Sequence, residues 1–374
     1  MGIEIREVKS KKDLNRFVKF PFQLYSKCPY WIPPLIKDEL RTFSAKHNPA
    51  FGHCTAKLWI AYSNDEIVGR IAGIVHQKEA QKDGIGRFGW LDFMDDLAIS
   101  KKLLDTVEEW IQEQGMTKMH GPLGFTDMDF EGMLIEGFKE MGTIATIYNY
   151  EYYPVHMDTL GFNKVVDWVE MEGVLPTSLP PKMVRKAEII EARFGLRSLK
   201  FNKIKELLSF GKGIFKVLNE SYANLHGFYP LTDEQISHYI SQYLSYLKPE
   251  FSSVVVNSEN EVVGFGIAMP SFSRAFQKAK GHLFPFGYLH LLKALRNNDL
   301  ADLYLMGVSN NYQKFGVSAL ILKDILQAFN HAGIKKVVTN PMLENNHHIL
   351  TQWNEFQGDS RIHRRRRCFV KKFV

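Results

Sequence analysis

Leu303-Tyr-Leu-Met-Gly-Val-Ser-Asn-Asn-Tyr-Gln-Lys-Phe-Gly-Val-Ser-Ala-Leu-Ile-Leu322 reads as an apolar strand that passes through a short polar turn into an amphipathic helix. Such a turn suits a pyrophosphate. Gly316 allows close backbone approach, and N–H groups at a helix start are unpaired and dipole-positive, so they favour phosphate oxygens. Upstream, Phe251-Ser-Ser-Val-Val-Val256 and Glu261-Val-Val-Gly-Phe-Gly-Ile-Ala-Met269 are β-rich runs joined by Asn257-Ser258-Glu259-Asn260, which predicts a hairpin. Downstream, Ala319, Leu322, Ile325, Leu326 and Phe329 recur at helical spacing, and His331-Ala332-Gly333 ends the helix. Lys335 to Thr339 reads as the next strand and Leu343 to Trp353 as a further helix.

The turn carries Gln313-x-x-Gly316-x-Ser318 and resembles the Q/R-x-x-G-x-G/A signature of the GCN5-related N-acetyltransferase (GNAT) superfamily. The resemblance implies an α/β (α+β) fold with a mixed, mostly antiparallel central sheet flanked by helices. It implies acetyl-CoA or another acyl-CoA as co-substrate, held by Gly307 and Val308 on the strand, by Gln313, Lys314, Phe315, Gly316, Val317 and Ser318 in the turn, and by Asn346.

Composition predicts a globular chain. Its 374 residues are enough for two domains, and 45% hydrophobic content is enough to give each a core. No apolar run is long enough to span a membrane and the N-terminal residues lack a signal-peptide pattern, so a cytoplasmic location is expected. Cys28, Cys54 and Cys368 include no close pair, which argues against a disulfide framework or a zinc site, and no metal is expected. The formal charge of +6 is local: seven cations and no acid lie in residues 361–374, which leaves −1 for the rest. That segment reads as a terminal strand with arginines on a solvated face; contact with nucleic acid is the alternative, and only through this segment.

The chain reads as a duplication. Ile3 to Val8, the hairpin Leu58 to Tyr62 and Ile67 to His76, the strand Phe88 to Met94 and the helix Ile99 to Gln114 match the order of the second half. The expected division is residues 1–175 as a degenerate GNAT-like domain, 176–189 as a Pro-rich linker and 190–374 as the domain with the acyl-CoA motif. In the first half the turn is Asp95-Asp96-Leu97, without glycine, and its carboxylates would repel phosphates. Leu160-Gly161-Phe162 is similar to the family's terminal L-G-F. Tandem members such as the Fem-type aminoacyltransferases and N-myristoyltransferases are the architectural comparison.

Two loops of the first half suggest a pocket. Asp127, Asp129 and Glu131 could receive a cationic amine, with Tyr148 and Tyr152 from Tyr148-Asn-Tyr-Glu-Tyr-Tyr-Pro154 as an aromatic wall. The alternative is a tight loop with packing tyrosines. In the second half Asp302 matches the place of an acidic general base in several family members, and the alternative there is an exposed acid after Asn297-Asn298-Asp299. A backbone N–H near Gly307 or Val308 could hold a thioester oxygen. Trp353 stands where the family often has a catalytic tyrosine, which leaves His347 as the acid candidate, with His348 beside it; Tyr312 reads as packing. Phe284-Pro-Phe-Gly-Tyr-Leu-His-Leu-Leu-Lys-Ala-Leu-Arg296 reads as a helix covering the core, with an acyl tunnel or lipid contact as alternatives. The expected function is acyl-CoA-dependent N-acyl transfer to a small-molecule amine or peptide in a ternary complex. Its rivals are a non-catalytic acyl-CoA-binding protein and a Fem-like, tRNA-dependent aminoacyltransferase.

Overall fold

The computed structural model describes residues 2–243, 246–346 and 360–373. In chain order the elements are β1 (Glu4–Glu7), α1 (Lys11–Leu24), α2 (Ile36–Thr42), β2 (Cys54–Ser63), β3 (Glu66–His76), α3 (Gln77–Asp83), β4 (Ile85–Phe93), α4 (Leu97–Glu113), β5 (Lys118–Gly121), β6 (Met133–Glu136), α5 (Tyr152–Thr159) and β7 (Asn163–Val174). There follow α6 (Pro181–Phe194), β8 (Arg197–Leu199), α7 (Ile204–Ser209), α8 (Gly211–Ser221), α9 (Asp233–Tyr243), β9 (Ser252–Val256), β10 (Val262–Pro270), α10 (Ser273–Ala279), α11 (Gly287–Arg296), β11 (Leu300–Val308), α12 (Val317–Ala332), β12 (Lys336–Thr339), β13 (Met342–Leu343) and β14 (Ser360–Lys372).

Contacts divide the chain into two compact units. The first holds Met1–Val169, Ser273–Tyr288 and His363–Val374; the second holds Glu170–Phe272 and Leu289–Ile362. In the first, β1 to β4 form an antiparallel run, β4 pairs β5 in parallel, and β14 adds antiparallel to β5 and β6. In the second, β8 to β11 run antiparallel, β11 pairs β12 in parallel, and β7 adds antiparallel to β12. Each unit thus has a mixed, mostly antiparallel sheet with one crossover helix, α4 or α12, between its parallel strands. The plan is repeated.

The division corrects the expected boundaries twice. Residues 363–374 complete the first unit's sheet, with Phe369 opposite Gly121, rather than that of the second. Conversely, Glu172 to Val174 from the first half pair with Lys336 to Val338. The Pro-rich region is also more than a linker: Pro181, in the helix's first turn where a missing N–H costs nothing, opens α6, whose Ala187 and Ile190 are buried against α12.

The arginine-rich strand is a second correction, because its face is not solvated. Arg364 and Arg366 are 1% and 0% exposed. Arg364 donates to Thr146 Oγ1 and the Ile147 carbonyl at 3.3 Å each, and Arg366 donates to the Gly132 carbonyl at 3.2 Å. Arg367 grips Asp167 at 2.8 and 3.1 Å, Arg365 faces Glu136 at 3.4 Å and Lys371 faces Glu108 at 2.8 Å. A strand set inside a sheet needs partners for its cations, and its neighbours supply acids and carbonyls.

The second unit's core lies between β9 to β12 and the apolar face of α12, where Leu320, Ile321 and Phe329 are fully buried. Gly264 and Gly266 set the closeness of this packing. A Cβ on either would come within 2.7 Å of Val317 or 2.3 Å of Ile321. Among the described residues, no helix is long and apolar enough to cross a membrane.

Candidate active site

The candidate site is built where β11 leaves its parallel partner. β11 pairs with β12 only from Leu300 to Leu303, and then runs on to Val308 while β12 stops at Thr339. The two strands therefore part beyond Leu303. Asn340 marks the parting point: its N–H donates to the Leu303 carbonyl at 3.0 Å and its side-chain amide to the Tyr304 carbonyl at 3.2 Å. On the other side of β11, the register with β10 shifts between Ile267 and Ala268, so that Tyr304 is the extra residue of a β-bulge.

The ladder tells which N–H groups turn away from β10. The Ser309 N–H donates to the Val263 carbonyl at 2.9 Å, so in the antiparallel alternation Gly307 is bonded to β10, whereas Met306 and Val308 direct their backbone groups away from it. The Tyr222 hydroxyl on the Met306 carbonyl (3.2 Å) and the Gln313 amide on the Val308 carbonyl (3.4 Å) agree with this. Of the two N–H candidates, Val308 is the one directed away from β10 and Gly307 is not.

The turn after β11 is a 3-10 helix over Asn310–Phe315, followed by Gly316 at φ 79 and ψ 23, the left-handed region that favours glycine. A Cβ there would also approach Ile190 Cδ1 at 2.9 Å. Gly316 is the N-cap of α12 and brings no capping side chain. In the first unit the equivalent helix start is already occupied. Asp96 caps α4, its carboxylate accepting the Ala98 N–H at 2.8 Å, and Asp95 lies 3.2 Å from His156 Nε2. A helix start satisfied by its own carboxylate has no place for a phosphate.

Of the turn residues, Gln313 and Lys314 are exposed, Val317 is buried and Ser318 is half-buried. Phe315 stacks on Phe194, centroids 4.4 Å apart and planes within 5°, so it is held by α6. Tyr312 packs edge-on against Phe315 and accepts from the Asn257 amide at 3.5 Å, which is a packing role. Glu220, from α8, is a site residue that sequence reasoning missed. Its carboxylate accepts from Ser309 Oγ at 2.9 and 3.1 Å and from the Asn310 N–H at 2.8 Å, and so fixes the mouth of the turn. No local signal could have found it, since its partners lie about ninety residues away in sequence.

Asp302 is not the exposed acid of the alternative reading. It is 1% exposed. Burial pushes its carboxyl up to about 7, with the Ser271 hydroxyl opposing the rise and Glu170, itself fully buried, adding to it. It sits at the last turns of the β11/β12 pairing, opposite Val338, one residue before the strands part. Asn346 is half-buried, and its N–H donates to the Leu343 carbonyl at 3.0 Å. His347, His348 and Trp353 lie outside the described residues. The described start of the helix expected from Leu343 is instead the short strand β13 and a turn at Glu344 and Asn345.

The cavity that Tyr148 lines does not include Asp127, Asp129, Glu131 or Tyr152. Asp129 closes its own turn by accepting the Thr126 N–H at 3.0 Å. Burial pushes the Asp127 and Asp129 carboxyls up to about 6, and Glu131 also rises, through burial and then Asp127. The Tyr152 hydroxyl donates to the Phe93 carbonyl at 2.5 Å. Tyr148 lines a separate cavity of about 60 Å³ with Tyr25, Trp31, Glu39, Arg70 and Asp92. There Arg70 and the Tyr25 hydroxyl satisfy Asp92 at 2.7 and 2.8 Å, as in a closed polar core. His53, Cys54 and His76 bring ligand-type atoms within 4.8 Å, but His76 Nδ1 accepts the Glu79 N–H at 3.4 Å, a capping role.

No protein-family model matches the chain. It is 28% identical over 333 residues to Protein YghO of Escherichia coli (strain K12), over 87% of this chain and 83% of that protein. It is 26% identical over 322 residues to the bacterial ceramide synthase of Caulobacter vibrioides (strain NA1000 / CB15N), over 83% and 82%. Among solved structures it is similar to the tandem GNAT protein from the clavulanic acid biosynthesis pathway, with a TM-score of 0.56 and 9% identity over 99% of this chain and 98% of that one.

Proposed function

From a chain with two GNAT folds in tandem, we propose an acyl-CoA-dependent N-acyltransferase whose donor site lies in the second unit. The observation that carries this reading is the contrast between helix starts: α12 begins at a glycine without a capping side chain beside parted strands, whereas α4 is capped by Asp96. The relative named a bacterial ceramide synthase supports the reaction class, because a ceramide is the amide of a fatty acid and an amino alcohol. Acetyl-CoA or a longer acyl-CoA would bring an activated carbonyl. Gly316 and the first turn of α12 would hold its phosphates, as left-handed glycine and helix dipole allow.

The chain's own groups supply the remainder. The Val308 N–H, directed away from β10, would stabilise negative charge on a carbonyl oxygen. Glu220 orders Ser309 and Asn310, which keeps the turn in register with the strand. A carboxyl near 7, as at Asp302, would accept a proton from an amine at neutral pH. The rival that relies on tRNA is not favoured, since the arginines that suggested it are buried or ion-paired.

Thermal shifts with acetyl-CoA, longer acyl-CoAs and free CoA test the reading. Ligand at a hundredfold excess over Kd should add about 2.7 kcal/mol of stability. Gly316→Glu should remove the shift, and an amine acceptor should release free thiol from the wild type. A wild type that no acyl-CoA stabilises would end the proposal.

A further inference from the structure

The segment from Val262 to Asn298 contains no Asp or Glu, yet carries Arg274, Lys278, Lys280, Lys293 and Arg296. At its centre the large apolar side chains point outward. Phe284 and Phe286 are 79% and 71% exposed, and Tyr288, Leu289 and Leu292 between 39% and 48%. Among the described residues these are five of the twelve exposed large apolar side chains, packed into nine positions, whereas the other seven are scattered. Scattered exposure is ordinary. A contiguous patch marks an interaction surface.

This departs from the expected helix covering the core: of α11, only Leu291 is buried. Tyr288, Leu289, Leu292, Lys293 and Arg296 share the exposed side of α11 at helical spacing, so that its apolar end lies next to Phe284 and Phe286 and its far end is cationic. The Phe284 and Tyr288 rings pack together, centroids 5.7 Å apart. Ten residues are too few to cross a bilayer. Exposed aromatic side chains, Lys293 and Arg296 on the same side of the helix and no acid between Glu261 and Asp299 in sequence are instead the chemistry of a helix lying in the headgroup layer.

We propose that the loop at Phe284 and Phe286 and the first turns of α11 dock on an anionic membrane surface, the rings and leucines entering the acyl boundary and Lys293 and Arg296 pairing with phosphate headgroups. The occupant follows from charge: an acid-free, five-cation segment matches an anionic lipid surface. The inference is independent of acyl transfer.

Sedimentation of the full chain with vesicles tests it, using phosphatidylcholine alone and phosphatidylcholine mixed equally with phosphatidylglycerol. Binding should require phosphatidylglycerol and weaken with salt. Combined Phe284→Ser, Phe286→Ser and Leu289→Ser should lower partitioning at least about tenfold. Lys293→Glu with Arg296→Glu should lower it about tenfold and erase the preference for phosphatidylglycerol. Both variants should keep the wild-type melting temperature, since every altered side chain is exposed. Absent wild-type binding, or equal binding by the triple serine variant, would overturn the proposal. So would a wild-type dimer that this variant abolishes without change in vesicle binding, because the patch would then be covered by a second copy.

Discussion

Phe369→Ala should destabilise the first unit although residue 369 lies in the second half of the sequence. Phe369 is 1% exposed and packs in the cluster of Phe88, Val107, Ile111 and Met119, all from the first half. Its strand pairs with β5. Loss of the transfer free energy of a buried ring is about 1.5–3 kcal/mol. With the cavity left in a packed sheet, the total is about 3–5 kcal/mol. Hydrogen exchange read by mass spectrometry locates the loss: peptides over Lys118–Gly121 and Leu97–Glu113 should exchange far faster, and those over Val262–Pro270 and Val317–Ala332 should keep their protection. Protection lost over Val317–Ala332, with Lys118–Gly121 unchanged, would refute the assignment of the strand to the first unit.

Asp302→Asn tests both stability and catalysis. With a folded value of about 7 against an unfolded value of about 3.9, the folded state binds more protons between those limits, so this group costs stability as pH rises from about 4 to about 7. Relative to wild type, the variant should therefore be more stable at pH 8, by at most about 4 kcal/mol, and gain nothing at pH 4, as denaturant titration would show. If Asp302 takes the proton, wild-type kcat/KM should rise with pH through about 7 and the variant lose about 10²–10⁴-fold. Arg366→Ala should cost about 3–5 kcal/mol, measured by denaturant titration, because it empties a buried cationic site beside Glu131. Residues 182–374 alone should show no cooperative melt, lacking Glu172 to Val174 against β12 and carrying β14 without β5.

What the sequence made legible is what local pattern controls. The hairpin read at residues 251–269 is β9 and β10, the strand and helix around Gly316 are β11 and α12, and the stop at Gly333 is the left-handed C-cap of α12. Partner choice was not legible. The apolar residues Ile362, Cys368, Phe369 and Val370 among the cations of residues 361–374 identify a strand but say nothing about which edge it joins, and its arginines read as solvated because the acids that meet them, Glu136 and Asp167, are distant in sequence. Asp302 read as a general-base candidate with an exposed acid as the alternative, and only the register against Met269 and Val338 shows that it is enclosed. Glu220 reaches the turn from another helix, and the bulge at Tyr304 has no signature residue.

The strand pairing Phe369 with Gly121 also sets a schedule for synthesis on the ribosome. The strands β8 to β13, from Arg197 to Leu343, are all made before residue 363. That unit can close first. The first unit, although translated earlier, must wait with β5 open on one side until Lys372 is out of the exit channel, and an open strand edge is a place for wrong pairing. The first unit's sheet is thus completed by residues translated after the second unit's strands, and the nascent first half, with β5 unpaired on one side, is where a chaperone would have most to protect.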